Sequence, residues 1–331
     1  MSEKKRLLWL DIVKGICILF VMLSHSYPNA ATRSFFTPFF LNMFFVTAGY
    51  TFSIKSSFKE FIIGKIKGLV VPLFILGTVR LLLLWAFGSF SGNIVKNFLE
   101  FLLQINCKND EMWFISCLFT CELIFYFIVR FISGKIPRWI VCFVFMALGF
   151  ADILLVGLKL PWELELACIM MPYINAGLEF KNNNASDITG KKWLPYVIAS
   201  AVIYIASTCI YISTTDVHNE SFDCFPLFIV SSFAAILPLF FVAQKQENTK
   251  FGKVLNFLGL HTLFYYAFSG IVREFFYIGI KMVGLSAETG VMSFVLPITC
   301  AVFMAVIMAP FAYISMKWFP WAFGKWPKKK K

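Results

Sequence analysis

The stretch LDIVKGICILFVMLSHS, Leu10 to Ser26, decides how this chain is read. It is apolar enough to cross a bilayer, yet it carries Asp11, Lys14 and His25. Ionisable groups inside such a segment are costly and mark functional positions. Lys14 and His25 are eleven residues apart, which on one helix is roughly 16 Å along the axis. A cation near one end of the span and a proton acceptor near the other therefore sit at different depths of one interior.

The rest of the chain has the same character. Its 331 residues are 59% hydrophobic and 15% charged, with mean hydropathy +0.77. That excludes an ordinary soluble domain and predicts an all-α polytopic membrane protein. Ten apolar segments fall at 7–27, 35–54, 68–90, 112–132, 139–157, 164–180, 194–213, 223–243, 254–279 and 291–316. Each is near the roughly 20 residues that a bilayer core requires. Residues 1–320 read as one transmembrane domain and 321–331 as a basic cytoplasmic tail.

Loop charges set the orientation. With the N-terminus inside, the inner segments collect most of the basic residues, including Lys55, Lys59, Lys65, Lys67, Lys191, Lys192 and Lys328 to Lys331. The outer segments hold only Arg33, Lys96, Lys108, Lys159 and Lys281. This bias predicts about ten transmembrane helices with both termini cytoplasmic. It also accounts for the net charge of +12 without any nucleic-acid partner. The Lys328–Lys331 run suits an anchor near anionic membrane lipid. MSEKKR followed by an apolar run resembles a signal peptide, but Asp11 and Lys14 interrupt its core. A retained first transmembrane helix is expected.

The nine cysteines contain no CxxC pair, and the three histidines are scattered. No metal site is expected from this pattern. Cys107 and Cys224 fall in outward loops where a disulfide can form, although buried free thiols fit the sequence better.

Several residues can carry chemistry. His25 suits a general base acting on a hydroxyl, or a histidine hydrogen-bonded between helices. Lys14 suits a phosphate contact, or a side chain snorkelling to the headgroups. Asp11 lies three residues before Lys14 and can pair with it on one helical face. In Phe44-Phe45-Val46-Thr47-Ala48-Gly49-Tyr50, Gly49 permits close helix approach and Tyr50 adds a hydroxyl near the inner surface. Lys55, Lys59, Lys65 and Lys67 fill the inner loop before the third span, serving topology or a phosphorylated cofactor. Asp152, Glu163 and Glu165 lie near the outer ends of the fifth and sixth spans, as headgroup acids or as supports for His25 or a sugar. Glu122, Arg80, Arg130, Arg273 and Glu274 suit intramembrane pairs.

In this order the elements resemble the integral-membrane acyltransferase-3 family, within it the fucose 4-O-acetylase-like branch. Asp11, Lys14, Gly15 and His25 match its D-x-x-(R/K)-G pattern with the following histidine. Phe44, Phe45, Ala48, Gly49 and Tyr50 match FF-x-x-(S/A)-G-Y, and Lys65, Leu69 and Pro72 match a basic stretch ending in L-x-x-P. Trp113-Phe114 and Pro172-Tyr173 with Gly177 resemble later elements. There are departures: Gly68 holds a position where a second basic residue is usual, with Lys67 one place early. His261 stands where Asn is usual, and Ser269 where His is usual.

The resemblance implies transfer of an acyl group, usually acetyl from acetyl-CoA, to a hydroxyl of a cell-surface or lipid-linked sugar at the plasma membrane. It implies Lys14, Lys65, Lys67 and Tyr50 toward the cofactor and His25 at the transfer centre. Asp11, Asp152, Glu163, Glu165 and Trp113 are expected to support them. A transporter or flippase for a lipid-linked saccharide is the other reading that intramembrane charges suit. A polytopic glycosyltransferase is a third, weakened because the first outward loop contains Arg33 but no acid.

Overall fold

The computed structural model describes residues 7–54, 57–87, 93–105, 112–183, 187–284 and 290–326. Lys55, Cys107, Lys108, Lys328–Lys331 and the opening MSEKKR, named above, lie outside them. The described chain is mostly helical, with one isolated bridge between Asp216 and Ser221. The helices in order are α1 (Leu8–His25), α2 (Ala30–Phe40), α3 (Asn42–Thr51), α4 (Phe58–Lys65) and α5 (Val71–Ala86). There follow α6 (Ile94–Leu103), α7 (Trp113–Phe131), α8 (Lys135–Ala151), α9 (Leu164–Ile169) and α10 (Met171–Asn182). The last five are α11 (Leu194–Ile210), α12 (Phe225–Gln246), α13 (Lys250–Leu260), α14 (Thr262–Met282) and α15 (Met292–Trp318).

Among the described residues, six helices are long and apolar enough to cross a membrane. A seventh appears if α13 and α14, bent by 84° at His261, count as one span. The other expected spans are helical but short or broken. The segment at 35–54 divides into α2 and α3 around Leu41. Pro38 removes a backbone donor there, and the Asn42 side chain donates to the Pro38 carbonyl at 2.8 Å. The segment at 164–180 divides into α9 and α10 at Met170.

A second difference lies before the third span. The basic stretch expected as a loop is helix α4, running through a π-helical turn at Ile66–Val70 into α5. Ser57 starts it by accepting the Glu60 N–H at 3.2 Å. That S-x-x-E spacing is a helix-start signal within the lysine run.

Helix α1 is the hub, packed against α13, α14, α12 and α15. Two pairs of helices touch backbone to backbone. A Cβ on Gly15 would lie 1.9 Å from the Leu255 carbonyl oxygen, and one on Gly259 1.8 Å from that of Asp11. Helices α3 and α10 meet in the same way, with Gly49 against Ile174 and Gly177 against Val46. Close glycine-mediated approach of this kind is how helices pack without a hydrophobic drive between them. Arg138 pins α8 to α10, donating to Asn175 Oδ1 at 2.8 Å and pairing with Glu179. Large apolar side chains such as Leu155, Ile210, Val306 and Phe311 stay exposed on the outer helices, the surface expected to face lipid.

Candidate functional site

Two cavities lie along α1, named inner and outer after the orientation that the loop charges predict. The inner one, about 480 Å³, is lined by Lys14, Lys65 and Glu122 with Thr47, Thr51 and Phe114 among others. The outer one, about 410 Å³, is lined by His25, Trp113, His218, Arg33, Asp216 and Arg273 among others. They share Val21, Leu41 and Tyr266. The two chambers therefore adjoin at those three residues.

Both inner lysines are held by buried acids. Lys14 Nζ lies 2.7 Å from Asp11 Oδ1, the three-residue pairing expected on one helical face. Lys65 pairs with Glu122 on α7. Asp11 and Glu122 are each 3% exposed, whereas the lysine side chains keep 29% and 27% exposure. Each lysine is thus anchored at its carboxylate yet open to the chamber, a geometry able to hold an anion. Gly68 also lines this chamber, and a Cβ built there meets open space.

The outer chamber is built on the end of α1. A helix terminus leaves its last carbonyls without intrahelical donors. Here Arg273 Nη1 donates to the His25 carbonyl at 3.1 Å, and the Tyr277 hydroxyl donates to that of Ser26 at 2.6 Å. The cation also complements the negative end of the helix dipole. Tyr27 turns the chain into the left-handed region at φ 53°, and its ring lies 4.7 Å from the Arg273 guanidinium. The backbone carrying His25 is therefore fixed from α14.

The opposite wall comes from the segment between α11 and α12. Arg33 Nη2 contacts Asp216 Oδ2 at 2.6 Å. Burial pushes the Asp216 carboxyl up, but hydrogen bonds from Asn219 and the Arg33 charge more than offset this and hold it below its usual value. The Trp113 ring stacks on His218, with centroids 5.1 Å apart and an interplanar angle of 28°. Tyr266, which lines both chambers, is fixed by the Phe114 N–H, which donates to its hydroxyl at 3.1 Å.

The structure thus gathers Lys14, Lys65 and Asp11 at the inner chamber and His25 with Trp113 at the outer one. Other residues singled out in the sequence lie elsewhere. Lys67 turns away to the Trp326 ring, 5.3 Å off. Tyr50 is buried edge-on against Trp9 at 5.0 Å. Asp152 opens the π-helical turn Asp152–Val156 and lines neither chamber. Glu163 and Glu165 meet Glu220 rather than His25. His261 packs on Phe257 at the α13–α14 bend, with Nδ1 2.7 Å from the Phe257 carbonyl. Arg273 and Glu274 adjoin in sequence, which on a helix turns them about 100° apart and predicts other partners, yet their long side chains bend together and pair at 2.5 Å.

Sequence reasoning missed His218, Asp216 and Tyr266. Tyr266 carried a signal: it lies between His261 and Ser269, the two positions that depart from the family pattern. The other two lie in a polar loop where no periodicity marks an inward face.

Residues 7–324 match the family model described as an acyltransferase domain, of the acyltransferase-3 type. No curated protein and no solved structure matches the chain. The match spans nearly all of an all-helical chain with several membrane-length apolar helices. This protein belongs to the acyltransferase-3 family and is an integral-membrane acyltransferase.

Proposed function

We propose that the protein is a plasma-membrane O-acetyltransferase. It moves acetyl from cytoplasmic acetyl-CoA to a hydroxyl of a cell-surface or lipid-linked sugar, with His25 at the transfer centre. The observation that carries this reading is the pair of adjoining chambers, which share Val21, Leu41 and Tyr266 in their linings. The donor is anionic and enters from the cytoplasm. The anchored lysines Lys14 and Lys65 suit its phosphates, and the apolar chamber wall suits its pantetheine arm. The acceptor is polar and suits the outer chamber, where His25, Asp216, His218 and Asn219 offer hydrogen bonds beside the Trp113 ring.

In the reaction, the His25 imidazole takes the proton of the acceptor hydroxyl. The oxygen attacks the thioester carbonyl, the carbon–sulfur bond breaks, and CoA leaves as the thiolate. The imidazolium proton passes to that thiolate, and the products are the sugar ester and free CoA. Fixing the acceptor, base and thioester in one geometry removes most of the entropic barrier. The clamp of Arg273 and Tyr277 on the α1 terminus supports that fixation.

The test has two parts. Purified protein releases CoA from acetyl-CoA when acceptor is present, and His25→Ala does not. Mass spectrometry of envelope glycans shows an acetyl mass that is lost without the protein. Unchanged transfer by His25→Ala removes the mechanism, and unchanged glycans remove the acceptor class.

A further inference from the structure

A carboxylate cluster lies outside both chambers. Glu163 and Glu165 sit at the start of α9, and Glu220 sits in the turn closed by the Asp216–Ser221 bridge. One oxygen from each carboxylate lies within 4.8 Å of the other two. Glu165 is 2% exposed, and the Glu220 side chain is 7% exposed. Two carboxylates side by side at that burial need compensating charge. Lys159 supplies one positive charge, paired with Glu220.

A second observation points to a ligand. Glu165 Oε2 is fully enclosed and no hydrogen-bond donor reaches it. Buried carboxylate oxygens ordinarily find a donor or a cation. Oxygens bound to one calcium ion at roughly 2.3–2.6 Å lie at most about 5 Å apart. The spacing of these three carboxylates is within that reach. The ligand set is oxygen only, without thiolate or imidazole, which selects a hard cation over zinc or copper.

We propose that Glu163, Glu165 and Glu220 bind a divalent cation of the calcium class. The site is separate from acyl transfer, and its occupancy does not depend on that chemistry. Its consequence reaches the outer chamber all the same. Glu220 follows Val217, His218 and Asn219, which line that chamber, so a cation here ties the chamber's loop wall to α9.

The experiment uses the full-length protein in detergent, stripped with a chelator and then given calcium, magnesium or manganese alone. The readouts are the thermal unfolding midpoint and retention of radiolabelled calcium. The expected result is one calcium retained per chain and a midpoint raised by a few degrees, as for any ligand selective for the folded state. Glu220→Gln and the more accessible Glu163→Gln lose both effects. Lys159→Gln removes the competing ammonium and binds several-fold more tightly. The proposal is overturned if neither the parent protein nor Lys159→Gln retains any of the three ions. It is also overturned if binding and the midpoint shift persist in Glu163→Gln and Glu220→Gln.

Discussion

The inner and outer chambers are built in different ways. The inner one is walled largely by helices, and its charges come as tight pairs, Lys14 with Asp11 and Lys65 with Glu122. The outer one takes one wall from the end of α1 and the other from the loop between α11 and α12. Helix-borne groups are held by regular backbone and by partners one turn away or on a packed neighbouring helix. Loop-borne groups depend on local contacts such as Arg33 with Asp216 and Trp113 on His218. Under the proposed function, the inner chamber suits a donor that does not vary. The outer chamber can be reshaped by changing one loop, which is where differences between acceptors belong.

The largest expected effect separates chemistry from binding. His25→Ala is expected to lower the transfer rate by about 10²–10⁴-fold, the usual contribution of a positioned general base. Single-turnover acetyl transfer checks it. A loss confined to the acceptor KM would instead make His25 a binding residue.

The next effect is on folding. Lys65→Met strands the Glu122 carboxylate, and losing one partner of a buried pair costs about 3 kcal/mol. The Lys65→Met/Glu122→Met double variant is expected to recover most of that loss, read from unfolding midpoints. Equal destabilisation of the single and double variants would mean that the pair is not what holds α4 to α7.

Gly68→Lys sharpens the assignment of the inner chamber. The position faces open space, so a lysine there adds a cation without a clash. About 1 kcal/mol of added attraction lowers the KM for acetyl-CoA about fivefold and leaves the acceptor KM unchanged. An effect on the acceptor alone would reverse the assignment of the chambers.

The smallest effect concerns acid. The folded Asp216 carboxyl is held below its usual value. Its contribution is present above the ordinary carboxylate range and fades as pH falls through the lower folded value. For a partly exposed pair that contribution is at most about 1 kcal/mol. Asp216→Asn should remove it, seen as a shallower loss of thermal midpoint on acidification.

The same contrast explains what the sequence revealed. Lys14, His25 and Gly49 stood out because polar or small residues are conspicuous in an apolar helix, and Gly49 indeed marks a backbone contact, whereas the contact at Gly15 was not foreseen. The capping of α4 by Ser57 was written in S-x-x-E but was obscured by the lysine run that suggested a loop. The break between α2 and α3 depends on Asn42 reaching both Pro38 and Ser232, and the second of these is a tertiary contact. Asp216 and His218 were hidden for a similar reason. Their place against Arg33 and Trp113 is set by the folding of distant helices, which no local periodicity records.

The most direct test of the two-chamber account is equilibrium binding of acetyl-CoA to His25→Ala beside the parent protein, with transfer measured on the same preparations. The account predicts equal affinity and lost transfer, because the donor's phosphates are held by the lysines of the inner chamber and His25 lines the outer one. Binding and transfer lost together, or transfer retained, would contradict it.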